Sequence, residues 1–295
     1  MHDGQVELST GDVTEIVGQQ FPDWSDREVR CVESHGTVNA LFRLGSDLVA
    51  RFPLVVGESP GLEQFLRQEQ AHARYLGGLV SLAVPEPVAL GEPSARYPGY
   101  WSVFRWIPGE SIDLDTDSDL MGHARVLARF VRSLHGLETD GRRWDGRSRG
   151  GPLSQRDDDV RVALAASVDL IDTTPLVAVW NRSLEAKPYE GSDVCIHGDL
   201  MPGNLIVRDD RLVAVIDCGP GSFGDPAVDL MPAWNLLDAS SRRVFRASLG
   251  ADDDMWERGR GWAMVQAIVA LPYYIDSNTV MAATAKRTLD ALVNG

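Results

Sequence analysis

The sequence predicts an α+β protein of two lobes, a small amino-terminal lobe built on an antiparallel sheet and a larger, mainly helical carboxy-terminal lobe. Short β-branched and aromatic runs dominate up to residue 107, apolar residues at helical spacing dominate beyond it, and Pro108-Gly109-Glu110 stands between the two regimes. The expected domains are therefore 1–107, ending in a hinge strand, and 108–295.

In chain order, Ser9-Thr10 can cap a helix over 12–20, which Phe21-Pro22 ends. Strands are expected at 29–33, 38–44 and 48–52, with Ser34-His35-Gly36-Thr37 joining the first two, and a helix at 62–76. Pro85, Pro87 and Pro93 mark a loop before a strand at 100–107. Beyond the hinge, 120–137 places Met121, Ala124, Leu127, Ala128, Val131 and Leu134 on one helical face, and His123 and His135 of this helix read as packed or solvated residues. Residues 140–158 are rich in Gly, Arg and Asp, with Trp144 alone among polar neighbours, and read as a mobile insertion near the substrate side. Short apolar runs at 194–196, 205–207 and 212–216 read as strands of one hairpin unit. Asp225 should cap a helix running from Pro226 through Leu237, and helices at 241–249, 255–271 and 279–293 complete the chain.

A chain of 295 residues with 44% hydrophobic and 24% charged residues suits a soluble protein with a sizeable core. The apolar run 263–271 is too short for a membrane span and carries Gln266, and the first residues lack a signal-peptide pattern, so a cytoplasmic protein without a membrane partner is expected. Cys31, Cys195 and Cys218 have neither zinc-site nor disulfide-framework spacing and read as reduced thiols. The net charge of −15 argues against a nucleic-acid partner. Between Glu190 and Asp254 there are 12 acidic and 5 basic residues, a balance of −7, which favours a cationic small-molecule substrate and leaves the oligomeric state open.

The chemistry concentrates in His197-Gly198-Asp199-Leu-Met-Pro-Gly-Asn204 and Asp217-Cys218-Gly219. An Asp followed five residues later by an Asn, with a second Asp after the next strands and a Gly two beyond it, is the arrangement phosphoryl transfer uses: one carboxylate takes the substrate hydroxyl proton, and the Asn and second carboxylate hold magnesium. Oxygen donors are what that hard cation prefers.

These motifs resemble those of the aminoglycoside phosphotransferase family, within the wider protein-kinase-like group. The likeness continues through Gly224-Asp225-Pro226-Ala227-Val228-Asp229-Leu230 and, more loosely, over most of the chain. The resemblance implies that Asp199 is the base, that Asn204 and Asp217 are the magnesium ligands, and that His197 and Asp229 support the catalytic loop. It places ATP or GTP against the turn Ser34, Gly36 and Thr37, with the purine held by backbone groups of Arg105, Trp106 and Ile107 and Phe104 behind it. The third strand departs from the pattern, because the chain has only Lys187 and Lys286 and neither lies in the first lobe. Arg51 is the candidate replacement for the phosphate-binding lysine, oriented by Glu69 in preference to Glu63. Trp234, Tyr273 and Tyr274, with Trp256 and Trp262, are candidates to line an acceptor pocket, although aromatic residues at helical spacing usually pack.

Gly219-Pro-Gly221-Ser-Phe-Gly224 matches the dinucleotide fingerprint, but the sequence after it is helical to the end rather than alternating, and no lysine completes a Walker-type loop. The expected activity is nucleotide- and magnesium-dependent O-phosphorylation of a small hydroxylated molecule, an aminoglycoside or another antibiotic such as a macrolide. The alternatives are a metabolic kinase acting on choline, a hydroxy amino acid or a sugar amine, and a catalytically silent nucleotide-binding regulator, which Arg51 in place of lysine keeps open.

Overall fold

Alternation of buried and half-exposed residues is clearest in the strand Leu48–Pro53, whereas the strand Trp101–Arg105 is buried over its first four residues. The computed structural model describes residues 6–33, 38–56, 60–114 and 119–295. They fall into two compact units, one of Met1–Gly77, Ala83–Gly109 and Val215–Pro220, the other of Gly78–Leu82, Glu110–Ala214 and Gly221–Gly295.

The first unit opens with helix α1 (Thr10–Gln20), which Ser9 caps in a reciprocal box with Asp12. Strands β1 (Val29–Val32), β2 (Asn39–Leu44) and β3 (Leu48–Pro53) are followed by helix α2 (Pro60–Leu76), then β4 (Pro87–Gly91) and β5 (Trp101–Arg105). The sheet order is β1-β2-β3-β5-β4, antiparallel throughout. The proline-marked loop is thus in part an edge strand. Pro87 starts it, a bulge lies between Pro87 and Ala89, and an edge start is where a strand tolerates proline. Phe42, Phe52, Tyr97 and Trp101 are completely or almost completely buried and form the aromatic heart of this unit. The Phe52 and Trp101 rings stack with centroids 4.6 Å apart, and the Tyr97 hydroxyl donates to the Pro53 carbonyl at 2.8 Å. A Cβ on Gly91 would lie 2.0 Å from the Trp101 ring, so only glycine fits there.

The second unit holds β6 (Glu110–Ser111), α3 (Leu120–His135), α4 (Asp157–Ala166), α5 (Thr174–Glu185), β7 (Val194–Ile196), β8 (Leu205–Arg208) and, up to the unit boundary, β9 (Arg211–Val215). It continues with β10 (Ser222–Gly224), α6 (Pro232–Asn235), α7 (Ala239–Leu249), α8 (Asp253–Tyr274) and α9 (Thr279–Asn294). The expected single hairpin unit divides in two: β7 pairs with β10, whereas β8 lies between β6 and β9. Gly224 closes the first pair at φ +158°, and a Cβ there would meet the Gly150 carbonyl at 2.4 Å.

Two expectations are corrected. The segment from Pro226 is a 3-10 turn to Leu230 followed by the four-residue α6, because Pro232 interrupts a continuous helix. The insertion expected at 140–158 carries hydrogen-bonded turns and a 3-10 helix at Leu153–Arg156, and α4 begins inside it at Asp157. Among the described residues no helix is long and apolar enough to cross a membrane.

Candidate active site

In the first unit, the middle strand presents Arg51 and α2 presents Glu69. Arg51 Nη1 donates to Glu69 at 3.0 Å, while Nη2 lies 3.3 Å from Asp217. Glu63 pairs instead with Arg67, one helical turn away at 2.8 Å. Burial raises the Glu69 pKa above the ordinary carboxylate value, the Arg51 charge opposes this, and the Asp217 charge adds to it. The Val215 N–H donates to the Ala83 carbonyl at 2.9 Å, tying the segment that carries Asp217 to this unit. Asp217 adopts the left-handed conformation, φ +62°, which non-glycine residues adopt rarely and chiefly where the surroundings require it. Its Oδ2 has no partner among the described residues, and its side chain is about half exposed. Val38, Val55, Leu62, Phe65 and Leu66 line a cleft of about 320 Å³ that reaches Arg51, Glu69 and Asp217.

On β5, which pairs with the middle strand, Phe104 is buried, and its ring centroid lies 5.4 Å from the Arg51 guanidinium. Arg105 is exposed and pairs with Asp47 at 3.0 Å, and Arg43 lies over the Trp106 ring at 4.1 Å. The N–H groups of Arg105 and Trp106 donate to the carbonyls of Glu86 and Asp47, each at 2.8 Å. The Ile107 N–H has no partner among the described residues, so it is the amide of this stretch open to a ligand. Ser34, Gly36 and Thr37 lie outside the described residues.

In the second unit, a loop after β7 carries Asp199 and leads into β8 through Asn204. Asn204 Nδ2 donates to the Asp199 carbonyl at 2.9 Å and to Asp199 Oδ2 at 3.3 Å. Its own Oδ1 has no partner among the described residues. Asn204 in this unit keeps one oxygen donor open, as Asp217 does in the first unit, and oxygen is the donor type that magnesium prefers. Among the described residues no group of three His, Cys, Asp or Glu side chains is placed to hold a metal ion by itself.

Two further donors converge on Asp199 Oδ1. Gln266 Nε2, from the middle of α8, reaches it at 2.6 Å, and Arg149 Nη1 pairs with it and also donates to the Gly198 carbonyl at 3.0 Å. Sequence reasoning missed both, although Gln266 stands out as a lone polar residue inside the apolar run 263–271. The Asp199 N–H donates to His197 Nδ1 at 3.2 Å. Asp229 is fully buried and accepts the N–H groups of His197 and Gly198 at 3.0 and 2.7 Å, and its Oδ2 lies 3.0 Å from His135 Nε2. His135 is thus a packed residue of α3 whose ring is held by Asp229. Asp225 caps the 3-10 turn through the Ala227 N–H and pairs with buried Arg258 at 2.6 Å. Cys195 is buried on β7, and burial pushes its thiol up to about 12.

Trp234 is 2% exposed and packs on Trp256 with ring centroids 4.8 Å apart, while Arg242 lies over its ring. Tyr273 is exposed and meets Tyr274 edge-on at 4.6 Å, near the end of α8. Of the expected acceptor contacts Trp234, Tyr273 and Tyr274, Tyr273 is exposed and Tyr274 partly so, whereas Trp234 is buried.

An antiparallel sheet unit with an Arg-Glu-Asp cluster and a helical unit with an Asp-Asn loop define a protein of the kinase-like class. The model of the phosphotransferase enzyme family matches residues 18–262, and the chain belongs to that family. The aminoglycoside 3'-phosphotransferase of Escherichia coli is 29% identical over an alignment of 128 residues that covers 41% of this chain and 47% of that protein. The protein of the same name from Salmonella typhimurium is 28% identical over 128 residues. The chain thus spans about half the length of the curated relatives it matches. Among solved structures, wild-type aminoglycoside 2'-phosphotransferase-IIIa in its GDP complex superposes with a TM-score of 0.70 at 19% identity, covering 97% of this chain and 99% of that one. A macrolide 2'-phosphotransferase from Brachybacterium faecium gives 0.60 at 20% identity, covering 96% and 97%. At these identities the likeness shows the fold.

Proposed function

We propose that this protein transfers the γ-phosphoryl group of ATP or GTP to a hydroxyl of an aminoglycoside or another small antibiotic. The observation that carries the reading is the state of Asp199. Oδ1 receives two donors, Arg149 and Gln266, while Oδ2 receives only the longer bond from Asn204. A carboxylate oxygen accepts two hydrogen bonds, so Oδ2 keeps a position for an acceptor hydroxyl. In this reading Asp199 orients that hydroxyl and takes its proton. His197 and Asp229 keep the loop in place. The Ile107 N–H binds the purine, with Phe104 packed behind it. Arg51 holds phosphate oxygens and is itself oriented by Glu69. Magnesium, when bound through Asn204 and Asp217, supplies charge neutralisation at the phosphates. Most of the rate comes from positioning and electrostatics.

The choice of acceptor draws support from the acidic balance of the chain, which suits a polyamine, and from relatives and structural neighbours of the family. One neighbour was solved with kanamycin and another with gentamicin. Tyr273 and Tyr274 are the proposed aromatic contacts to the acceptor. A second reading, a silent nucleotide-binding regulator, draws on the Arg51 to Asp217 contact, in which the cation engages a proposed metal ligand.

The test is nucleotide consumption by the purified protein, with and without magnesium, against aminoglycosides, macrolides, choline and hydroxy amino acids. Magnesium-dependent turnover confined to an antibiotic class is expected. Turnover with choline or a hydroxy amino acid would replace the acceptor assignment by a metabolic one, and nucleotide binding without turnover would favour the regulator.

A further inference from the structure

Asp199 is paired with a cation that its own loop lacks. Positions 200–203 are Leu, Met, Pro and Gly, and of the two lysines Lys187 pairs with Glu190 at 3.1 Å. Arg149 provides the charge from the segment between α3 and α4. That segment is fastened on both sides of Arg149. The Trp144 N–H donates to Asp193 at 2.9 Å, its indole N–H donates to the Ser148 carbonyl at 2.9 Å, and the Gly150 carbonyl accepts the Asp225 N–H at 2.8 Å.

Both hydrogens of Arg149 Nη1 are engaged, one by the Gly198 carbonyl and one by Asp199 Oδ1. The N–H groups on Nη2 and Nε have no partner among the described residues, and the side chain is 41% exposed. A guanidinium with open donors binds oxyanions in a directional, often bidentate manner.

We propose that Arg149 binds a non-bridging oxygen of the phosphoryl group in transit. The inference rests on the reading of Asp199 as the group that receives the acceptor proton. An acceptor oxygen held by Asp199 lies roughly 3 Å from its carboxylate, and the phosphorus it attacks lies roughly another 3 Å on. That is within reach of the open side of a guanidinium already bonded to the same carboxylate. In the step, the acceptor oxygen bonds to the γ-phosphorus as the bond from that phosphorus to the bridging oxygen breaks. The electron pair leaves with the nucleoside diphosphate, and the acceptor proton passes to Asp199. Charge is spread over the non-bridging oxygens at that moment. Gln266, neutral and buried, holds the same Oδ1, so Asp199 stays anchored when Arg149 is removed.

The experiment uses the whole chain with magnesium, aluminium fluoride, whose anion imitates the phosphoryl group in transit, and ADP, replaced throughout by GDP if the chain binds that diphosphate more tightly. The wild-type protein should trap ADP in this complex. Arg149→Ala should weaken trapping about 10²- to 10³-fold, the loss seen when one oxyanion donor is removed, and leave binding of MgADP alone unchanged. Arg149→Lys should fall between the two, because one ammonium serves the carboxylate and the phosphoryl group less well than a fork. Trapping by Arg149→Ala equal to wild type overturns the proposal. Equal weakening of MgADP and of the trapped complex also overturns it, making Arg149 a structural residue. A wild-type protein that binds MgADP, traps nothing and phosphorylates no acceptor removes the functional reading and this inference together. Equal phosphorylation of an acceptor by wild type and Arg149→Ala removes the inference alone.

Discussion

The buried carboxylate of Asp229 accepts the backbone N–H of Gly198 at 2.7 Å, one residue before the proposed base. Its other oxygen takes the N–H of His197, and Gly198 makes the turn at φ +76°. Successive amides aimed at one anion fix the loop from its backbone side. Side-chain donors fix Asp199 from the other.

Asp229→Asn places an amide NH2 where an acceptor is needed. Stability should fall by about 1.5–3 kcal/mol, the range for hydrogen bonds to charged groups. Turnover should fall as well, because misplacing the base by about 1 Å costs on the order of 10²-fold. Denaturant unfolding and steady-state kinetics check both. A loss of stability below about 0.5 kcal/mol, the range of an ordinary surface change, would contradict the role.

Asp199→Asn keeps the shape of the site and removes the proton acceptor. Turnover should drop by about 10²- to 10⁴-fold, with the nucleotide dissociation constant unchanged by calorimetry. Unchanged turnover would take Asp199 out of the mechanism.

Glu69 carries the pH dependence of the Arg51 cluster. Its folded-state pKa lies above the ordinary value because burial disfavours its charge. The folded protein therefore binds more protons there than the unfolded chain does. This contribution to stability is complete below the unfolded pKa and is lost as pH rises through the folded one. Glu69→Gln should accordingly compare better with wild type as pH is raised from about 4 towards neutrality. Parallel unfolding measurements across that range read the difference, and a trend of opposite sign would show that Arg51 dominates the burial penalty.

Thiol reactivity separates the cysteines. Cys195 is buried with its pKa pushed up to about 12, whereas Cys31 is exposed and Cys218 partly so. In the native protein a thiol reagent should modify Cys31 and Cys218 and spare Cys195 until denaturant is added. Magnesium and nucleotide should slow Cys218, which adjoins the proposed metal ligand Asp217. Rapid modification of Cys195 in the native state would contradict the packing of β7.

Local signals made most elements readable. Short β-branched and aromatic runs marked β2 and β3, helical spacing marked α3, and Ser9 and Asp225 announced their caps. Strand partners were not readable, because pairing β7 with β10 depends on the close approach of Gly150 and Gly224, far apart in sequence. The edge strand at Pro87 was hidden by proline, and α4 and α5 by the polar stretch before them. In the site, the motif residues carry their own spacing. Arg149 and Gln266 meet Asp199 only through tertiary structure, from 50 and 67 residues away.

The most direct measurement is a mass spectrum of the acceptor after incubation with magnesium and nucleotide, for wild type and Asp199→Asn side by side. The wild-type reaction should yield an acceptor carrying one added phosphoryl group, matched by the nucleoside diphosphate formed, and the variant strongly reduced product. Nucleotide converted to diphosphate and inorganic phosphate with the acceptor unmodified, or equal product from both proteins, would contradict that expectation.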